Sequence, residues 1–247
     1  MKNAVLSGLR QAFGLRFLAG VLVMAAAVLF AGFDAIYRAF QSEYLMPAGF
    51  HTQMIRSALR SDTAIPFIPM AAVLPFAGSF VEDVKSKFCR FFCIRSGWMG
   101  YLGSRLMVCF LSGALTVVCG ALLAWGTAAL VLLPRTEAGE MERGILTETL
   151  WLYALSGGFW AVVGLSLSTL MESKYIAYAS PFVLYYLLVI LHERYTPALY
   201  VLAPAEWISP QPRWPFGAIG LAAVMLELTA VFSILFLIRA ERRLRAL

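Results

Sequence analysis

Charge, histidine and cysteine are all scarce in this chain. Only 14% of its 247 residues are Asp, Glu, Lys or Arg, against roughly a quarter in ordinary soluble domains. That poverty excludes a soluble globular protein. Two histidines and four cysteines leave little material for a metal centre or a disulfide framework. The "CRFFC" pair, Cys89 and Cys93, lies in a segment read below as cytoplasmic, where thiols stay reduced, and both His51 and His192 fall on the other side, so a closed metal site lacks ligands. Catalytic signatures are missing as well: no HExxH, no phosphate-binding loop and no evident pairing of a nucleophile with a base. Chemistry carried out by this chain is therefore not expected.

What is present is apolar sequence. Hydrophobic residues make up 61% of the chain, with a mean hydropathy of +0.77. A hydrocarbon core about 30 Å thick needs roughly 20 apolar residues in a helix. Six stretches approach that length: Phe17–Ile36, Thr63–Phe80, Leu106–Leu133, Leu150–Met171, Tyr175–Leu191 and Phe216–Ile238. None alternates residue by residue as a barrel strand would. The expectation is an all-α integral membrane protein of six transmembrane helices in one domain over 1–247. The run from Phe17 is too long for the apolar region of a signal peptide, so the first span is expected to be retained.

Lysine and arginine set the orientation. With the N-terminus inside, thirteen of the twenty basic residues face the cytoplasm, including Lys85, Lys87, Arg90, Arg95, Arg105 and a C-terminal group from Arg239 to Arg245. Both termini are thus expected to be cytoplasmic. The net charge of +6 is accounted for by this bias and by anionic lipid, with no nucleic-acid partner required.

Before the first span, Val5, Leu6, Leu9 and Phe13 form one helical stripe. Residues 3–16 would then lie in the inner interface as an amphipathic helix, or form a frayed start to span one. Between spans two and three, "FVEDVKSKFCRFFC" repeats the pattern: Val81, Val84, Phe88, Phe91 and Phe92 share a stripe, and Glu82, Asp83, Lys85, Ser86 and Arg90 occupy the other faces. This helix is expected to stop at Ser96–Gly97, with Trp98 and Tyr101 as interface anchors leading into span three.

These features, with the pattern "F-x-E-D-x-K-x-K…R…G…Y-x-x-S-R-L" over residues 80–106, resemble the permease subunits of type-2 ABC transporters. The absence of a large external domain makes the chain similar in form to the short permeases that export antimicrobial peptides. The resemblance implies a separate ATPase subunit that binds ATP and Mg²⁺, a second permease chain in a homodimer or heterodimer, and a bacterial cell membrane as the location. It makes residues 3–16 an elbow helix. It also makes Glu82, Asp83, Lys85, Lys87 and Arg90 the charged side of a coupling helix that docks on the ATPase. Because it places spans two and five at the dimer seam, it offers Phe67, Met70 and Leu74, with Tyr178, Phe182 and Tyr185, as the lining of a path for amphipathic or hydrophobic cargo.

Other features carry their own readings. Pro66, Pro69 and Pro75 should kink span two. Ser112, Thr116 and Gly120, then Gly157, Gly158 and Gly164, are small residues suited to close helix packing. Five of the eleven prolines fall in 194–216, which forbids a continuous helix there. That loop is expected to be either a short re-entrant or interfacial helical pair, or an ordered loop held at the outer interface by Trp207 and Trp214. Glu227 is the one acidic residue near the middle of a span. It is either a protonated group hydrogen-bonded to a neighbouring helix or the relay of a proton-coupled carrier or channel, the alternative function.

Overall fold

A computed structural model describes residues 2–42, 44–89, 97–137, 144–210 and 214–245, with side chains described outside 2–4 and 144–148. Among these residues the fold is helical, and the single extended pairing is an isolated bridge between Met46 and Thr136. The helices are α1 (Lys2–Ala12), α2 (Leu15–Ala31), α3 (Phe33–Gln41), α4 (Phe50–Leu59), α5 (Phe67–Val73), α6 (Ser79–Lys85), α7 (Trp98–Leu132), α8 (Gly144–Met171), α9 (Lys174–Ile190) and α10 (Ala218–Arg245).

Four segments are long and apolar enough to cross a membrane: Trp98–Arg135, Thr149–Met171, Lys174–Tyr195 and Ala218–Arg245. A fifth candidate is the pair α1–α2, bent by 57°. The bend falls at Phe13–Gly14, where the N-cap of α2 is Gly14 and no side chain caps the helix. The chain is thus an all-helical protein with four or five candidate membrane-spanning helices.

The stretch expected as a kinked span two is interrupted outright. Its helix lasts only seven residues, Phe67–Val73, followed by turns through Gly78 and a second short helix, α6. Three prolines remove three backbone donors within ten residues, and the chain responds by breaking rather than kinking. It remains in the interior nonetheless. Ala64, Ile65, Ile68, Ala71, Ala72, Val73, Phe76, Ala77, Phe80 and Val81 are all buried, and α5 packs against α2, α7, α8 and α9. Irregular backbone at this depth is tolerable only when protein covers it.

The surrounding helices approach closely through the small residues. A Cβ added at Gly113 would lie 2.5 Å from Ala161 Cβ and 2.7 Å from Gly157 O, and one at Gly157 would lie 2.8 Å from Gly113 O. The two glycines let α7 and α8 touch backbone to backbone. Gly120 meets Met24 of α2 in the same way, and Gly164 meets Ala177 O of α9. Ser112 and Thr116 are fully buried and turn their hydroxyls onto their own helix, to Cys109 O at 3.1 Å and Ser112 O at 2.7 Å.

At the end holding Arg135, Met46 N donates to Arg135 O and Glu137 N to Met46 O, both at 2.8 Å. The loop after α9 forms no helical pair among its described residues. It has one π turn at Leu191–Tyr195 and one 3-10 turn at Tyr200–Leu202. Trp207 and Trp214 are buried instead of lying at an interface. Trp207 donates to Val201 O at 2.9 Å and packs edge-on to Phe159, beside Trp160. Trp214 donates to Glu206 Oε2 at 2.9 Å. Three indoles and the Phe159 ring bury a large apolar area, so the loop folds back onto the bundle.

Candidate functional site

Arg16, Arg105, Lys174, Arg243 and Arg245 gather at one end of the bundle, here termed the basic end. Contacts link its parts: Arg16 and Lys174 both pair with Glu82, Arg243 donates to Glu172 at 3.1 Å, and the Arg245 guanidinium lies 5.9 Å from the centre of the Trp98 ring. The described parts of the segment predicted to be functional, 80–89 and 97–106, contribute Glu82, Trp98 and Arg105 to this end.

Its helix is shorter than expected. Ser79–Lys85 forms α6, and Lys87, in the left-handed region at φ 59°, ends it. Phe80, Val81 and Val84 are buried as the apolar stripe requires. Phe88 departs from the stripe and is half exposed, because the turn at Ser86–Phe88 rotates it outward. Arg90, together with Phe91, Phe92, Cys93 and Arg95, lies outside the described residues. Tyr101 is no interface anchor in a short turn; α7 begins at Trp98 and carries Tyr101 as a buried residue.

Asp83, expected on an exposed charged side, is 5% exposed and forms a buried ion pair with Arg105. Tyr101 and Arg105 stand four residues apart, so both reach from one face of α7 to the same carboxylate. The Tyr101 hydroxyl donates to Asp83 Oδ2 at 2.7 Å. The Arg105 guanidinium has further partners: it donates to Gln11 Oε1 of α1 at 3.0 Å and packs 5.1 Å from the Phe76 ring centre and 5.3 Å from that of Tyr101. Burial pushes the Asp83 carboxyl above its ordinary range, and the Arg105 charge and the Tyr101 hydrogen bond pull it back. Burying two charges is tolerable here because each finds several partners. The result is a clamp joining α6, the foot of α7 and α1. The signal for it in the sequence is the Tyr101–Arg105 spacing.

Glu82, next to the clamp, is partly exposed and forms a second network. Arg16 donates to both of its oxygens at 3.3 Å, and Lys174 Nζ lies 3.7 Å from Oε1. One carboxylate thereby ties the α1–α2 bend to the start of α9. Lys85 and Lys87 are exposed. The structure thus divides the five predicted coupling residues: Asp83 is internal, Glu82 bridges, Lys85 and Lys87 face outward, and Arg90 is not described.

The proposed lining residues also divide. Phe67, Leu74, Tyr178 and Phe182 are half-buried and Met70 is 37% exposed. Tyr185 is buried beside Trp160, with ring centres 6.2 Å apart, and belongs to the aromatic core. Glu227 lies exposed on the outward face of α10, between Leu226 and Val231, both of which are exposed. It makes no hydrogen bond to a neighbouring helix among the described residues, so the structural reading given above is not met within one chain. Also among the described residues, no three His, Cys, Asp or Glu side chains are placed to hold a metal ion. Comparison of the chain with protein-family profiles, with curated proteins and with solved structures finds no match in any of the three.

Proposed function

We propose that this chain is the membrane-spanning subunit of an ATP-driven exporter, crossing the bilayer six times and moving an amphipathic or hydrophobic compound such as a peptide antibiotic. In this reading the chain is a permease of a bacterial cell membrane, its termini and basic end are cytoplasmic, and α1 is the elbow. A second permease chain completes the path, and a separate nucleotide-binding subunit hydrolyses ATP. The order in which the chain visits the two ends supports the first four crossings: residues 16, 82, 83, 98, 105, 172, 174, 243 and 245 meet at the basic end, while 46 and 135–137 meet at the other. Lys174–Tyr195 and Ala218–Arg245, each long and apolar enough to cross, supply the fifth and sixth. The broken segment 63–80 is then the second crossing.

The observation that carries the proposal is the clamp. It fastens an exposed knob, Lys85, Lys87 and Phe88, to the buried proline-broken segment through Asp83 and Arg105. A partner that pushes on the knob therefore moves the interior. The half-buried face of Phe67, Met70 and Leu74 with Tyr178 and Phe182 is where that motion would open a path. A proton-coupled carrier relayed by Glu227 would need this carboxyl in a wet passage between helices, and its outward position favours the first reading.

The test is recovery of the intact complex in mild detergent, weighed by native mass spectrometry, for the parent and for a chain carrying Lys85→Glu and Lys87→Glu. The expected result is a bound nucleotide-binding subunit in the parent, and its loss, or ATP hydrolysis uncoupled from transport, in the variant. Charges at such an interface set register and orientation, so reversing two should be felt. A parent that never carries an ATPase, or a variant that stays fully coupled, refutes the proposal.

A further inference from the structure

A cleft of about 340 Å³ opens at the basic end beside the α1–α2 bend. That size is at the lower end of small-ligand sites. Gln11, Arg16, Ser79 and Glu82 form its polar wall, and Leu15, Pro75 and Phe76 its apolar wall. Three features indicate what it would hold.

The first is a surplus of positive charge. Arg16 and Lys174 share the single carboxylate of Glu82, at 3.3 and 3.7 Å, while Asp83 and Arg105 neutralise each other. One further anion of unit charge balances the set. The second is an unspent hydroxyl: Ser79 is 4% exposed, lines the cleft, and its Oγ has no hydrogen-bond partner. A buried hydroxyl left unpaired costs on the order of 1–3 kcal/mol, so a ligand oxygen that meets it is rewarded. The third is Gln11, whose carbonyl oxygen is taken by Arg105, which leaves its NH₂ as the free donor. Beside the Glu82 carboxylate, which Arg16 and Lys174 already share, the available groups are donors, with an apolar wall alongside.

We propose that this cleft binds the phosphodiester headgroup of an anionic membrane phospholipid. Arg16 and the Gln11 and Ser79 donors take the phosphate oxygens, Lys174 supplies the second positive charge, and an acyl chain lies along Leu15, Pro75 and Phe76. The lipid stands at the bend between α1 and α2 and bridges it to the broken segment, so it would set how firmly these parts are joined. The inference requires only that the basic end lies at a membrane surface, and it is independent of any ATPase.

The experiment uses the full chain alone, delipidated in detergent, with native mass spectrometry reading bound lipid. The probes are a phosphatidylglycerol, a diacylglycerol with the same chains, and glycerol 3-phosphate. Phosphatidylglycerol should be retained and the other two should not. Arg16→Gln should weaken retention about tenfold, the equivalent of one charge-assisted hydrogen bond, and Ser79→Ala by a smaller factor. Lys85→Gln removes the same charge outside the cleft and should leave retention unchanged. Equal retention of diacylglycerol would eliminate the phosphate, and equally tight glycerol 3-phosphate would reassign the cleft to free phosphate esters. An effect of Lys85→Gln as large as that of Arg16→Gln would show diffuse attraction only. Any of these results overturns the proposal.

Discussion

Asp83→Asn is the change whose cost the structure predicts most sharply. The side chains of Asp83 and Arg105 are 7% and 6% exposed. Neutralising one strands the other as a buried, unpaired charge, which costs about 3–5 kcal/mol. Arg105→Met should cost a similar amount by stranding the carboxylate, although Tyr101 still donates to it. The double variant removes both charges at once, and a buried pair replaced by apolar or neutral groups of similar volume is often no less stable than the pair. Its cost should then fall well below the sum of the single costs, with an interaction energy of at least about 2 kcal/mol. Glu82→Gln is the internal control. Glu82 and its partners Arg16 and Lys174 are partly exposed, so its cost should stay within about 1 kcal/mol. Unfolding of each purified chain in mixed micelles, followed by tryptophan fluorescence, gives the four values. Additive single costs, or an Asp83→Asn protein as stable as Glu82→Gln, would refute the clamp.

Two more predictions concern other parts of the molecule. Gly113→Ala puts a methyl 2.5 Å from Ala161 Cβ and 2.7 Å from Gly157 O, where only backbone or Cβ movement makes room, so it should lose about 1–3 kcal/mol. Gly126→Ala, on the same helix with nothing within 4 Å, should gain up to about 1 kcal/mol; thermal melting that ranks the two the other way refutes the packing argument. His51 on α4 is buried with both ring nitrogens unpartnered, and burial holds its pKa down. A depressed folded-state pKa means that protons favour the unfolded chain, so stability present above about pH 6.5 is lost as pH falls through that value. His51→Leu should flatten this acid limb of a melting-temperature profile, and an unchanged limb would exclude His51 as its source.

The parts of this fold that were legible in the sequence are those set by neighbours along the chain. Apolar length alone located Lys174–Ile190 to within a residue of the expected span, because hydropathy is a local sum. Small residues at helical spacing likewise forecast that α7 and α8 would pack closely. Segment 63–80 was expected to kink at its prolines and instead breaks, because apolar content measures affinity for the bilayer core and is blind to how many backbone hydrogen bonds are lost. Three prolines left this apolar piece without a continuous ladder, and it is buried by four other helices rather than by its own regularity.

The site fails to show in the sequence for the complementary reason, since charge is judged residue by residue whereas burial of charge depends on partners far away. Asp83 meets Tyr101 and Arg105, 18 and 22 residues ahead, and Arg105 meets Gln11, 94 residues back. A helical wheel drawn on residues 80–92 puts Asp83 on the polar side, and that is correct for an isolated helix. In the bundle that polar side faces the foot of α7, where a tyrosine and an arginine one turn apart offer the hydrogen bonds that water would otherwise supply. Glu227 shows the opposite case. Its neighbours on α10 are as apolar as any in the chain, yet it faces outward with no partner among the described residues. A carboxyl midway along a membrane span costs several kcal/mol unless it is protonated, wetted or met by another group. Among the described residues, a single copy of this chain offers Glu227 no such group.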